Sequence, residues 1–162
     1  MLDDNRIREL RLLILERTIL FNKLFEREVS QKISRARFEE LGKLGKQQLT
    51  VILIIGMIGE IIPSYLGLCM NLDRSSLSRM IDSLEKKGIV RRRTDPGDRR
   101  KVLVSLTEKG ERYYEFFLGI MEEVHASIMV YLDEQDFKEY ETCLKTEVRI
   151  MKKIDSKLDG EE

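Results

Sequence analysis

Five arginines and a lysine stand within the eleven residues Arg91 to Lys101, which read RRRTDPGDRRK. Guanidinium groups bind phosphate through paired, charge-assisted hydrogen bonds, so a cluster of them is chemistry for a polyanion. The Asp95-Pro96-Gly97-Asp98 step in the middle is a turn, with Pro at its second position and Gly at its third. It makes the cluster the tip of a hairpin. A hairpin tip is narrow, and an arginine on it can enter a DNA minor groove, where the negative potential is strong. Several cations at one tip repel. Asp95 and Asp98 are therefore expected to orient the arginines rather than to cancel them. Arg91, Arg92, Arg93 and Lys101 would lie against backbone phosphates. The plainer alternative, at this point, is a solvated charged hairpin that meets nothing.

Other chemistry is scarce. The chain of 162 residues has one histidine, His125, and two cysteines, Cys69 and Cys143, in no metal-ligand spacing. No metal site, no cofactor and no enzymatic constellation of acid, base and nucleophile is expected. No Gly-rich phosphate loop or nucleophile elbow stands out. The two thiols suit a reducing, cytoplasmic setting, with Cys69 read as a small buried hydrophobe. The alternation of charge with Leu and Ile at the N-terminus predicts no cleavable leader. Residues 51–70, VILIIGMIGEIIPSYLGLCM, are apolar enough to require a membrane check. Glu60 and Pro63 interrupt them, and two consecutive buried helices, the first ending near Gly59-Glu60, are the expected outcome.

The sequence is neutral, with 29 basic and 29 acidic residues, but only as a sum. Residues 1–48 hold 11 basic against 8 acidic, 49–110 hold 11 against 7, and 111–162 hold 7 against 14. The basic surface is local, as in a protein that presents one face to a polyanion.

The elements that must position these cations are mostly helical. Asp3, Asp4 and Asn5 can cap a first helix in which Ile7, Leu10, Ile14, Thr18, Phe21 and Phe25 recur at helical steps, widened by Leu13, Leu20 and Leu24. A short helix is expected at 34–44. Residues 49–59 form a helix apolar nearly all round, hence central. Ser64 is expected to cap a helix at 65–70, and Asp73 one at 74–87 that stops at Gly88. Ile89 to Thr94 and Arg99 to Leu106 read as the strands of a hairpin, with Val102, Val104 and Leu106 on one face. Thr107 caps a long helix through Leu132, on which Tyr113, Tyr114, Phe116 and Phe117 read as core. Asp133 caps the last helix, where Phe137, Tyr140, Leu144, Val148, Met151, Ile154 and Leu158 keep a helical step.

Two helices joined by a short turn and followed at once by a hairpin make a winged helix-turn-helix. On the second helix, Leu77, Met80, Ile81 and Leu84 share one face at 100° per residue. Ser75, Arg79, Asp82 and Lys86 lie opposite, flanked by Ser76 and Ser78. Short hydroxyl side chains permit close approach to base edges, and arginine can pair both acceptors of guanine. Asp82 argues for an ordinary polar surface unless it pairs with Arg79 or Lys86.

Residues 72–110, LDRSSLSRMIDSLEKKGIVRRRTDPGDRRKVLVSLTEKG, resemble the MarR family of winged-helix regulators. The shared run is a recognition helix, Leu-Glu-x-x-Gly, Val-x-Arg, Asp-x-x-Asp-x-Arg and a strand ending Leu-Thr-x-x-Gly. The resemblance implies a homodimer with intertwined N- and C-terminal helices. It implies that Ser75, Ser76, Ser78 and Arg79 face the major groove, that Arg100 reaches the minor groove from the wing tip, and that Asp98 holds it. A small aromatic or phenolic effector, bound in a cleft of unknown lining, is also implied. The chain departs from the family at Leu66-Gly67, where Leu-Ala is usual.

The fold expected is mainly α with a small β-hairpin wing, a winged helix-turn-helix plus a helical dimerisation layer. Residues 1–162 would form a single MarR-like domain, with 49–106 as the DNA-binding part and 1–45 and 107–158 as dimerisation helices. The wide apolar stripes near both ends are themselves a physical reason to expect a dimer. The site residues expected on DNA are Ser75, Ser76, Ser78, Arg79 and Lys86 on the helix and Arg91, Arg93, Asp98, Arg99, Arg100 and Lys101 on the wing. The function expected is a sequence-specific transcriptional repressor acting on double-stranded DNA at a near-palindromic site, with no membrane partner. The alternative is a winged-helix module that binds protein and no specific DNA.

Overall fold

The computed structural model describes residues 3–35 and 44–158. A nearly continuous helical run opens it: α1 (Asp4–Phe21), a π-helical turn at Asn22–Glu26, and α2 (Arg27–Arg35). Asp3 is the N-cap, its carboxylate accepting from the Asn5 N–H. The wider π turn shifts the helical phase between the two segments. The helix expected at 34–44 falls largely on residues 36–43, outside the described residues.

Next come α3 (Lys46–Ile58), a short strand β1 (Glu60–Ile61), α4 (Pro63–Met70) and α5 (Arg74–Lys86). The apolar run 51–70 is thus broken at Gly59, and among the described residues no helix is long and apolar enough to cross a membrane. Ser64, expected to cap α4, lies inside it instead. Ile62 is the N-cap and Pro63 takes the first helical position, where its missing N–H costs nothing. Asn71, in the left-handed region with φ 50°, ends α4 and makes the turn into α5.

The wing is built from β2 (Val90–Thr94) and β3 (Val102–Leu106), paired antiparallel with Val90 opposite Leu106 and Thr94 opposite Val102. The second strand starts at Val102, three residues later than expected, so Arg99 and Arg100 belong to the turn. β1 adds a third strand on the other edge of β3, pairing Glu60 with Ser105 and Ile61 with Val104. That strand was not foreseen, because two residues carry no periodicity. Finally α6 (Glu108–Met129) and α7 (Glu134–Leu158) follow, α6 ending three residues short of Leu132. Thr107 accepts the Gly110 N–H, and Asp133 accepts the Asp136 N–H, as caps.

The chain divides into two compact units, residues 1–122 and 123–162. In the first, one core joins α3, α4, α5, the sheet and the start of α6, with Val51, Ile52, Ile55, Leu66, Ile81, Leu84 and Val104 at its centre. Tyr113 and Phe117 are buried in it, and Tyr114 and Phe116 pack against it. α3 is less enclosed than its composition suggests, since Met57 and Ile58 at its end are exposed. Cys69, expected to be buried, is exposed on α4. α1 has no buried residue, and its Leu10, Leu13, Ile14 and Leu20 are exposed. In the second unit α7 likewise has none, with Phe137, Val148, Met151 and Ile154 exposed.

Two glycines do opposite things. A Cβ on Gly110 would lie 2.2 Å from the Ile89 carbonyl oxygen, so α6 sits against the start of the wing only because that side chain is missing. A Cβ on Gly67 would meet Leu72 and Leu77 atoms at an ordinary 3.4 Å. Gly110→Ala should therefore destabilise the fold by about 1–3 kcal/mol, whereas Gly67→Ala should stabilise it by about 0.5–1 kcal/mol through helix propensity. Urea unfolding of both variants checks the pair. A stabilised Gly110→Ala would remove the close approach.

Candidate nucleic-acid interface

The site is set by how α5 is anchored. Leu77, Ile81 and Leu84 are 3%, 1% and 0% exposed, and Met80 is half-buried beside them. This stripe packs toward α4 and β2. The opposite face is held in solvent, and it carries Arg74, Ser75, Ser78, Arg79 and Lys86, all exposed, with Ser76 half-buried.

Asp73 organises the start of the helix. Its Oδ1 accepts the backbone N–H groups of Ser75 and Ser76, both at 2.9 Å, and the Ser75 hydroxyl at 2.6 Å. These bonds, that from the Ser75 hydroxyl foremost, hold the carboxyl well below its ordinary 3.8. The Ser75 hydroxyl thus spends its proton inward and offers lone pairs outward. Arg79 lies over the same turn, its terminal nitrogen 3.4 Å from the Ser76 hydroxyl.

The wing cations fall into two groups. Three are engaged on the sheet. Arg91 donates to the Ser105 hydroxyl at 3.2 Å. Arg92 donates to Asp82 and Glu85 of α5, each at 2.5 Å. Asp82 therefore pairs across to the wing, and not along its own helix with Arg79 or Lys86 as sequence spacing suggested. Partial burial alone would lower the Arg92 pKa, but the bonds and charges of Asp82 and Glu85 outweigh it and the pKa is raised. Arg93 makes a two-pronged pair with Glu60 on β1, one bond being 2.6 Å from Nε. That pairing lowers the Glu60 pKa and raises that of Arg93. Arg92 was expected on phosphates. The geometry instead occupies its guanidinium with two acids.

The second group sits at the tip. The turn closes through Asp95 N–H to the Lys101 carbonyl at 3.0 Å and Lys101 N–H to the Asp98 carbonyl at 2.8 Å. Asp95 Oδ1 accepts the N–H groups of Gly97 and Asp98, so it stiffens the backbone where sequence reading had it orienting arginines. Asp98 does face a guanidinium. Its Oδ1 accepts both the backbone N–H of Arg100, at 3.1 Å, and the Arg100 Nε, at 3.3 Å. The Arg100 side chain is still 92% exposed. Arg99 and Lys101 are exposed beside it, Lys101 lying 3.9 Å from Asp98.

α5 and the wing face a common open groove, lined by Ser64, Arg74, Ser78, Arg100 and Lys101 among others. Of the residues expected on DNA it brings together Ser78, Arg100 and Lys101, while Ser75, Ser76, Arg79 and Arg99 lie outside its lining. Arg74 and Ser64 were missed. The signal for Arg74 was its place right after the capping Asp73, which points a first-turn side chain outward. By sequence alone Ser64 reads as a helix cap. Lys86 lies further along α5, with Arg79 and Lys87. Among the described residues no group of three or more His, Cys, Asp or Glu side chains could hold a metal ion.

The Asp73 cap gives a signed pH dependence. A carboxyl with a depressed folded-state pKa contributes stability that is complete above its ordinary 3.8 and is lost as pH falls below that value. Asp73→Asn keeps the cap and removes the charge. The thermal midpoint of the native chain should exceed that of Asp73→Asn near neutral pH, with the gap closing below about pH 4. A gap that stays constant down to about pH 2 would disprove the electrostatic part of the cap.

Known proteins resemble this chain in sequence and in fold. The MarR family profile matches residues 44–102. The uncharacterized HTH-type transcriptional regulator YdgJ of Bacillus subtilis is 30% identical over 92 residues, 57% of this chain and 56% of that protein. The chain thus spans little more than half the length of that relative. The HTH-type transcriptional repressor MdtR of Bacillus subtilis is 29% identical over 108 residues, 65% of this chain and 70% of that one. Among solved structures, a mutant of Escherichia coli MarR complexed with operator DNA superposes with a TM-score of 0.58 at 26% identity, covering 88% of this chain and 95% of that chain. The stretch matched by the family profile contains α3 to β2 and the cationic turn, the elements that build the groove, so the part of the chain that carries the candidate site is similar to the MarR family.

Proposed function

We propose that this chain is a sequence-specific DNA-binding transcriptional repressor that acts in the cytoplasm as a homodimer and responds to a small aromatic or phenolic effector. The observation that carries the reading is the shared exposure, on one side of the molecule, of the α5 face and of an arginine finger held by Asp98. α5 enters the major groove. Arg79 pairs the acceptors of a guanine, Ser75 accepts from an amino group because its own proton is used on Asp73, and Ser76 and Ser78 lie close enough to touch base edges or phosphate. Arg100 enters the flanking minor groove, while Arg99, Lys101, Arg74 and Lys86 contact phosphates. Arg91 and Arg93, engaged on Ser105 and Glu60, serve the wing's shape and reach phosphate only by releasing those partners. The relatives support the reading: one is a named repressor and one was crystallised on operator DNA.

The second copy follows from area. α1 and α7 each expose a row of large apolar residues, more than a monomer ordinarily leaves in water. Two copies joined there present two α5 helices to half-sites about 34–36 Å apart, which requires a near-palindromic site.

Selection of bound duplexes from a random pool tests the reading, followed by titration of the best duplex. Affinity should fall steeply with salt through counterion release. Arg79→Ala should relax one base preference and cost about 1–3 kcal/mol. Equal weakening on every sequence would reduce Arg79 to a phosphate contact. Asp98→Ala should weaken binding although it adds positive charge, and tighter binding would refute its orienting role. A chain that ignores every duplex at low salt would instead be a winged-helix module for protein partners.

A further inference from the structure

Asp82 and Glu85 are out of place on a helix meant for DNA. Each repels phosphate, and with Arg92 they form a cluster of net charge −1 beside the groove. Both terminal nitrogens of Arg92 are used on them, and the Arg92 backbone N–H also donates to Glu85 at 3.2 Å. The arginine is 29% exposed. A group bonded in this way is poorly placed to contact DNA, yet it ties β2 to α5. Beyond it the hairpin runs out through Arg93 opposite Leu103 and Thr94 opposite Val102, and Thr94 and Val102 are both exposed. Of the apolar side chains of the outer hairpin, Val102 is exposed and Leu103 only half-buried, so apolar packing holds its angle weakly. The next residue, Arg93, is on the other face of the strand, clamped to Glu60. Consecutive residues thus brace the hairpin from both sides.

The lever arm makes the brace matter. Four residues separate Arg92 from Gly97 at the tip, Arg93 and Thr94 in the strand and the other two in the turn, a reach of at most about 16 Å at strand rise. A swing of about 10° there displaces the tip by up to about 3 Å, enough to carry a guanidinium out of hydrogen-bond range.

We propose that Arg92, with Asp82 and Glu85 as its acceptors, is a positioning residue that sets the span between the major-groove reader on α5 and the Arg100 finger, and so the spacing of recognised features inside each half-site. The proposal rests on the DNA-binding reading above and adds to it a source of specificity that touches no base.

The test is Asp82→Asn/Glu85→Gln in the full chain, alone and combined with Arg100→Ala, with binding measured to the selected duplex and to a random one across a salt series. Deleting two anions near DNA should tighten binding to the random duplex if charge were all that mattered. With the brace weakened, preference for the selected duplex should fall about tenfold, the scale of one lost base-edge contact. In the Arg100→Ala background the same two substitutions should leave preference unchanged, because the finger they position is gone. Undiminished preference in the native background, or equal loss in both, overturns the proposal. Asp82→Asn alone, which leaves the Glu85 bonds, should show a smaller loss and carries the same comparison if the double substitution unfolds. Absence of any preference in the native chain would overturn the DNA reading itself, and is told apart because it appears before any substitution is made.

Discussion

The narrow apolar stripe of α5 is the constraint on which the rest depends. Leu77, Ile81 and Leu84 are taken almost entirely out of water. Each contributes on the order of 1.5–3 kcal/mol of burial. Rotating the helix by one residue would expose them and draw Ser78 and Asp82 into the core without partners, at a cost of the same order again. The outward direction of Arg79 and its neighbouring hydroxyls is therefore a consequence of core packing. Nothing in the outward face needs to hold itself there. It is left free to vary with what it must read.

Charge does the complementary work on the wing. Beyond the buried Val90, Val104 and Leu106 at its base, the hairpin has little apolar surface to anchor it, and the sheet is three strands wide there only because β1 adds two residues. Partly exposed ion pairs contribute little stability singly. Their value here is directional: Arg92 ties the strand to α5, Arg93 ties it to β1, and Asp98 aligns Arg100 at the tip. Six cations in one short segment thus divide between holding the wing in place and facing solvent. The acidic residues among them decide which does which.

The exposed rows on α1 and α7 follow a different logic. Neither helix buries a residue within the single chain. Their periodicity is regular enough that a covering surface is needed, and a second copy offering the same rows can meet that need by two-fold symmetry. The proposed homodimer and the proposed two-part operator are in this sense one hypothesis.

Much of this was legible in the sequence. Periodicities of 3.6 and 2 placed α5, β3, α6 and α7, because each carries an apolar stripe that residue spacing reveals; α3 was legible as an apolar run, and β2, which reads VRRRT, from the turn that joins it to β3. Asp73, Thr107 and Asp133 were readable as caps because a short polar side chain before an apolar run has few other uses. The cationic turn was plain from Asp-Pro-Gly-Asp. What local pattern could not supply was pairing at a distance. The Arg92 bonds to Asp82 and Glu85 and the Arg93 bonds to Glu60 join residues between 7 and 33 positions apart, whereas sequence spacing offered Asp82 its helix neighbours Arg79 and Lys86 and left both arginines to phosphates. The two-residue strand, the exposure of Cys69 and the displacement of Ser64 from its cap likewise depend on how α3 and α4 meet the sheet. The residues themselves determined which side chains could bind a polyanion. Only the tertiary structure decided which of those cations are committed to acids and which remain at the surface, because that depends on which strands and helices come to lie side by side.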